Sequence, residues 1–147
     1  VIMALARVLE VIPANEPHRK VYEKDYKNMM KALLKVQRDD HFWNVSLHDP
    51  SNFGGKETSG TSMFLYGLAW GINNGYIKGA KHKKLAIETW NSLTSNALHK
   101  NGFLGFAQST GKEPKEGQPL SYDKIPDFED FTLGAFLMAG AEMLKLD

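Results

Sequence analysis

The residue types best suited to chemistry gather at Glu57, Thr58, Ser59, Gly60, Thr61 and Ser62, which run without a break into the apolar stretch from Met63 to Ile72. Ser and Thr oxygens at a helix start accept from the free N–H groups of the first turn, so capping is their plain use. The stretch that follows makes the position unusual. A surface helix keeps one polar face, and this one keeps almost none. It must be walled in along its sides, with its hydroxyl-rich start left beside something that needs hydrogen bonds. His48 and Asp49 in "LHDPSN" also pair acid–base types, but Asp-Pro and Ser-Asn make that segment a turn. His18, His82 and His99 sit on or beside amphipathic segments without metal-ligand spacing. Cys is absent, so no thiolate site exists, and neither a metal nor another cofactor is expected.

These residues must be positioned by helices. Five are readable, over residues 1–12, 17–38, 58–74, 81–98 and 130–146. The first, third and fifth are apolar nearly all round. The second and fourth keep their apolar residues to one side. The order buried, amphipathic, buried, amphipathic, buried is that of two concentric layers. Connections from inner to outer helices are short, whereas those from outer to inner are long, over 39–57 and 101–129. Long loops without structure in a compact domain are usually functional or disordered. A weak internal repeat follows the same order: "RDDHFWNV" leads through a long loop to "ETSGTSMFLYGLAWG", and "HKNGFLGFAQ" leads through another to "DFEDFTLGAFLMAG". Repeated helical hairpins point to a solenoid or a closed toroid. Trp70 and Trp90 fall on these helices and read as core.

The totals exclude several classes. The 147 residues are enough for one domain. Lys and Arg number 18 against 17 Asp and Glu, a net charge of +1, so no field points to nucleic acid or an anionic membrane. No apolar run reaches the ~18–20 residues of a membrane span. The chain opens on "VIMALARVLEVI" without an initiator Met, a helix cap or a signal-peptide layout, so the start of the protein is expected to be missing. Three all-apolar helices need more partners than two amphipathic ones supply. Either more chain lies upstream or the protein associates.

At "HFWNV", "ETSGTSMFLYGLAWGINNGYI", "GFLGFAQSTGKEP" and "DFTLGAFLMAGAE" the chain resembles glycoside hydrolase family 105, the unsaturated rhamnogalacturonyl hydrolases, which are related to the unsaturated glucuronyl hydrolases of family 88. The likeness covers most of the chain. It implies an all-α fold, part of an (α/α)6 toroid of helical hairpins, with residues 1–147 as the C-terminal portion of one catalytic domain. It also implies a reaction: hydration of the C4–C5 double bond that a polysaccharide lyase leaves in a terminal uronic acid. An Asp protonates one alkene carbon, water adds to the other, and the resulting hemiketal rearranges to release the glycosidic bond. That chemistry needs general acid–base catalysis and no metal. In the family the acidic Asp lies upstream of the helix at which this chain begins, so no residue here inherits the role.

The resemblance also suggests binding residues. Trp43 matches an aromatic that lines the sugar site, with Asn44 beside it. Thr58, Ser59 and Gly60 match the hydroxyl-rich helix start, whose N–H groups favour an anion such as a uronate carboxylate. His41 stands where the family usually has Gly in the turn before the aromatic, and His bears a cost in the left-handed region that Gly does not. Asp127, Glu129 and Asp130 suit the positive end of the last helix, and a sugar-hydroxyl contact is the sharper alternative. The partner expected is an oligosaccharide, in the first place a rhamnogalacturonan fragment of pectin, in a bacterial cytoplasm or periplasm. Rival readings are an unsaturated glucuronyl hydrolase acting on glycosaminoglycan fragments and a non-catalytic helical-repeat binding module. The loops discriminate: in an enzyme both long loops should converge on one rim, around a pocket containing Trp43.

Overall fold

A computed structural model describes residues 1–109, 113, 115, 117–124 and 130–146. Five helices and one minimal hairpin follow in order: α1 (Ile2–Val11), α2 (Arg19–Lys35), β1 (Trp43–Asn44), β2 (Lys56–Glu57), α3 (Thr58–Asn73), α4 (Ala80–Asn96) and α5 (Asp130–Met143). The inner helix α3 packs against α1 and α5 on its flanks and against the outer helices α2 and α4. That is the two-layer order read from the hydropathy. Its buried residues run from Thr58 to Gly71 around most of its circumference. No helix among the described residues is long and apolar enough to cross a membrane.

Close approach to α3 depends on two glycines one helical turn apart. The buried hydroxyl of Tyr26 on α2 donates to the Gly67 carbonyl at 2.6 Å. A Cβ at Gly71 would lie 1.9 Å from the same Tyr26 Oη, and a Cβ at Gly67 would lie 2.8 Å from Ile2 on α1. Tyr26 also packs edge-on to Trp70 and Tyr76, which stack on each other with centroids 5.2 Å apart. Burial pushes the Tyr26 phenol well above its ordinary range. On the opposite flank Trp90 of α4 stacks on Phe136 of α5, over Gly140.

The internal repeat is visible as geometry. After α2, the Arg38 N–H donates to the Phe42 carbonyl and the His41 N–H to the Arg38 carbonyl. After α4, the His99 N–H donates to the Phe103 carbonyl and the Gly102 N–H to the His99 carbonyl. The Asp40 carboxylate accepts from the Phe42 N–H as the Asn101 carbonyl oxygen does from Phe103. His41, at φ 65°, therefore occupies the place that Gly102, at φ 88°, holds in the second copy. The left-handed conformation expected of His41 is present.

Helix ends differ from the sequence reading by one to three residues. α2 stops at Lys35 because Leu33, in its last turn, gives its carbonyl to the Val36 N–H and to the Trp43 indole N–H instead of continuing the ladder. The apolar surplus of α5 is also apparent. Leu133, Leu137 and Leu144 are exposed, as are Ile87 on α4 and Val1 on the far flank.

Gly71→Ala forces a methyl group against Tyr26 and should cost about 1–3 kcal/mol of stability, the usual scale of overpacking. Urea denaturation checks this. In a Tyr26→Phe background, where the opposing hydroxyl is gone, the same substitution should cost less.

Candidate functional site

The α3 start is set by the two-residue hairpin before it. β1 and β2 pair antiparallel, with Trp43 opposite Glu57 and Asn44 opposite Lys56. Successive side chains of a strand point to opposite faces. Trp43 and Glu57 accordingly turn inward and are buried, while Asn44 and Lys56 stay half-exposed.

This register gives Trp43 a role other than the expected sugar platform. The residue is 1% exposed. Its indole N–H donates to the Leu33 carbonyl at 2.8 Å, and its ring meets Phe64 edge-on at 5.3 Å. Its backbone N–H donates to Thr61 Oγ1. Trp43 closes the end of α2 and offers no open ring face.

Glu57, which the sequence places in a capping region, is the N-cap of α3. Its carboxylate accepts from the Ser59 N–H at 2.8 Å, the Ser59 hydroxyl at 2.5 Å and the Gly60 N–H at 2.5 Å. It also accepts a longer bond, 3.4 Å, from the Gln108 N–H. The N–H groups expected to receive a substrate anion are thus already occupied by an anion of the chain itself. Burial pushes the Glu57 carboxyl upward, and the hydroxyl and N–H donors pull it partly back. Thr58, wholly buried, donates its hydroxyl to the Gly105 carbonyl at 2.6 Å and its N–H to the Phe106 carbonyl at 2.9 Å. Thr58, Ser59 and Gly60 therefore join two long loops beneath a rim, and only Gly60 among them is partly open.

Above this node lie polar groups with spare capacity. Asn44 Oδ1 accepts from Arg38 at 2.6 Å and from the Gly55 N–H at 3.0 Å. That fixes the amide so that its NH2 group points away from those donors. The Lys56 ammonium sits over the Phe42 and Phe106 rings at 5.3 and 5.6 Å. Asp40 lies nearby. Burial raises its carboxyl, but the Arg38 pair, the Phe42 N–H and the charge of Lys56 more than offset this and hold it below its ordinary value. The Lys56 signal was present in the sequence as alternation across the hairpin, but two-residue strands are too short to announce it.

The other candidates fall away from the rim. Asp49 accepts from the Ser51 N–H and hydroxyl in an exposed turn, as the Asp-Pro and Ser-Asn pairs suggested. His99 stacks on Tyr122 at 3.6 Å and contacts its carbonyl, pinning the second long loop. His82 contacts the Lys78 carbonyl, and His18 is exposed. No group of three His, Asp or Glu able to hold a metal occurs among the described residues. Asp127, Glu129 and the side chain of Asp130 lie outside the described residues.

Inner helices with outer partners, and two long loops meeting at one inner-helix start, fit part of an α/α toroid of helical hairpins. The chain belongs to Glycosyl Hydrolase Family 88, whose description matches residues 1–147. It is similar to two proteins named unsaturated 3S-rhamnoglycuronyl hydrolase. One, from Formosa agariphila, is 35% identical over 147 residues, covering 100% of this chain and 37% of that protein. The other, from Alteromonas sp. strain LOR, is 33% identical over 144 residues, covering 98% and 33%. The structure resembles that of a family 88 glycosyl hydrolase from Bacteroides vulgatus, with a TM-score of 0.90 and 34% identity over 99% of this chain and 41% of that one. A family 105 glycoside hydrolase from C. acetobutylicum is similar at a TM-score of 0.74 and 29% identity, over 97% of this chain and 43% of that one. Both families named by resemblance are therefore represented, and the chain spans 33–43% of the length of each of the relatives named here.

A carboxyl whose value is raised by folding holds its proton more tightly in the native state. Its contribution to stability is full below the unfolded value of 4.5 and is lost as pH rises through the folded value. The stability difference between the wild type and Glu57→Gln should therefore shrink as pH rises above 4.5, measured by denaturation at each pH.

Proposed function

We propose that the protein carrying this chain hydrolyses unsaturated uronyl oligosaccharides by hydrating the C4–C5 double bond of the terminal uronic acid. The observation that carries this reading is the similarity along the whole chain to proteins named unsaturated 3S-rhamnoglycuronyl hydrolase. Those names join a uronyl group to rhamnose, which favours a rhamnose-containing substrate, such as a rhamnogalacturonan fragment, over a glycosaminoglycan fragment. The two long loops meet at the α3 start, but Trp43 is buried and lines no open pocket there, so the preference for an enzyme over a non-catalytic helical-repeat module rests on the similarity to those hydrolases.

In this reading residues 1–147 form the C-terminal portion of a single toroidal domain, and the proton-donating Asp comes from chain upstream of residue 1. The reaction needs a carboxylic acid that donates to an alkene carbon and a water delivered to the neighbouring carbon. This chain supplies part of the wall that holds the sugar. Asn44 and Lys56 take the contact role first assigned to Trp43, and the partly open Gly60 leaves room for the sugar at the helix start. Thr58 and Ser59 act from below, by holding the rim in place. A Lys56 ammonium beside a uronate carboxylate forms a charge-assisted hydrogen bond, and its desolvation against Phe42 and Phe106 strengthens the attraction.

The experiment is steady-state kinetics of the full-length protein on an unsaturated rhamnose-linked uronyl disaccharide, followed by loss of ultraviolet absorbance. Lys56→Gln should raise KM about tenfold, equivalent to about 1.4 kcal/mol, with kcat little changed, because the ammonium binds substrate and transition state alike. An unaltered KM would remove Lys56 from the site. Absence of absorbance loss with the wild-type protein would reject the reaction.

A further inference from the structure

A second place on the molecule has the chemistry of a binding site, and it lies away from the rim. Between the outer helices α2 and α4 a groove of about 460 Å³ is lined by Lys27, Lys31, Lys35, Lys78, Lys81 and His82. Its apolar floor includes Met30, Leu34 and Ile77, with Tyr76 at one side. Lys27, Lys31 and Lys35 recur every fourth residue and so stand on one face of α2, spread over ~12 Å at the helical rise. No Asp or Glu lines the groove. All five lysines are exposed, and none forms an ion pair among the described residues. Lys27 rests over the Tyr76 ring.

This concentration is local. The chain as a whole carries nearly equal numbers of positive and negative residues, so the groove is not a sample of a generally basic surface. Like charges gathered around one cavity repel one another, and a bound anion relieves that repulsion. The start of α4 opens here in the same sense. It has no side-chain cap and no acidic residue in its first turn, and Lys81 occupies that turn, where a cation opposes the helix dipole.

We infer that this groove between α2 and α4 binds a polyanionic saccharide chain, through its repeating carboxylate or sulfate-ester groups, as an anchoring site separate from the reaction site. The length favours a chain over a single ion, because the lysines are distributed along the groove rather than focused on one point. The choice of a saccharide rests on the hydrolase reading above. The two sites have different linings: the groove runs on the outer wall between α2 and α4, from Tyr76 and Ile77 towards Lys35 at the end of α2, and shares no residue with the rim built from Asn44, Lys56 and Gly60. A longer polymer can be held at the outer wall without occupying the rim.

The test uses the full-length protein and titration with a long, saturated oligogalacturonate, which lacks the double bond and so cannot turn over. Dextran sulfate and neutral dextran are titrated in parallel. The triple variant Lys31→Gln, Lys35→Gln and Lys81→Gln should lose at least about tenfold in affinity, with cleavage of an unsaturated disaccharide unchanged. A control variant, Lys84→Gln, Lys100→Gln and Lys115→Gln, removes the same charge elsewhere and should lose less than about threefold. Binding of a polyanion, and not of neutral dextran, that the groove variant weakens and the control variant does not upholds the site, and comparison of the two polyanions tells carboxylate from sulfate ester. Equal losses in the two triple variants, unchanged affinity in the groove variant, or failure of the wild type to bind either polyanion would overturn it. A protein that binds the polyanion through the groove but cleaves no unsaturated disaccharide would uphold the site and reject the hydrolase reading instead.

Discussion

The buried carboxylate of Glu57 is the constraint on which the rest of the site depends. It sits where α3 begins, with the free N–H groups of the first turn directed at it. A charged group taken out of water is costly unless it is well hydrogen-bonded, and here Ser59, Gly60 and Gln108 provide the bonds. The consequence reaches beyond a cap. Gln108 belongs to the second long loop, and Thr58 takes the Gly105 and Phe106 carbonyls of the same loop. One buried carboxyl group and its neighbouring hydroxyl thus join the start of an inner helix to a segment some fifty residues later.

Packing along α3 explains why the node can sit at the end of so apolar a helix. Gly67 and Gly71 let α1 and α2 approach to distances that a methyl group would forbid. The buried Tyr26 hydroxyl is satisfied by the Gly67 carbonyl that this close approach exposes to it. The helix is walled in, its start is held by Glu57 and Thr58, and its orientation fixes where the rim residues stand. Asn44 and Lys56 then face outward because Trp43 and Glu57 face inward.

Much of this architecture was legible in the sequence. Apolar periodicity distinguished inner from outer helices, because a helix without a polar face has to be covered. The repeat was legible too as a weak one, and the structure adds the turn in which His41 and Gly102 correspond. The site was less so. The family resemblance implied that Trp43 met the sugar and that the α3 N–H groups met its carboxylate. Side-chain direction decides both matters, and a two-residue strand carries too little pattern to reveal it. Glu57 read as one more residue of a capping region, since nothing in "KETSG" says that its carboxylate turns back onto Ser59 and Gly60. Lys56 drew no reading from the sequence, because the two aromatic rings beneath it come from separate loops.

The most direct test of the account is a crystal structure of the full-length protein bound to an unsaturated rhamnose-linked uronyl disaccharide, with turnover blocked by substitution of its catalytic acid. The account predicts that the uronyl group lies over the α3 start, with its carboxylate near the Lys56 ammonium and a sugar hydroxyl near the Asn44 amide. Glu57 should still cap Ser59 and Gly60, and Trp43 should remain buried against Phe64. A sugar stacked on an exposed Trp43, a substrate carboxylate displacing Glu57 from the helix N–H groups, or a uronyl group bound away from this rim would contradict it.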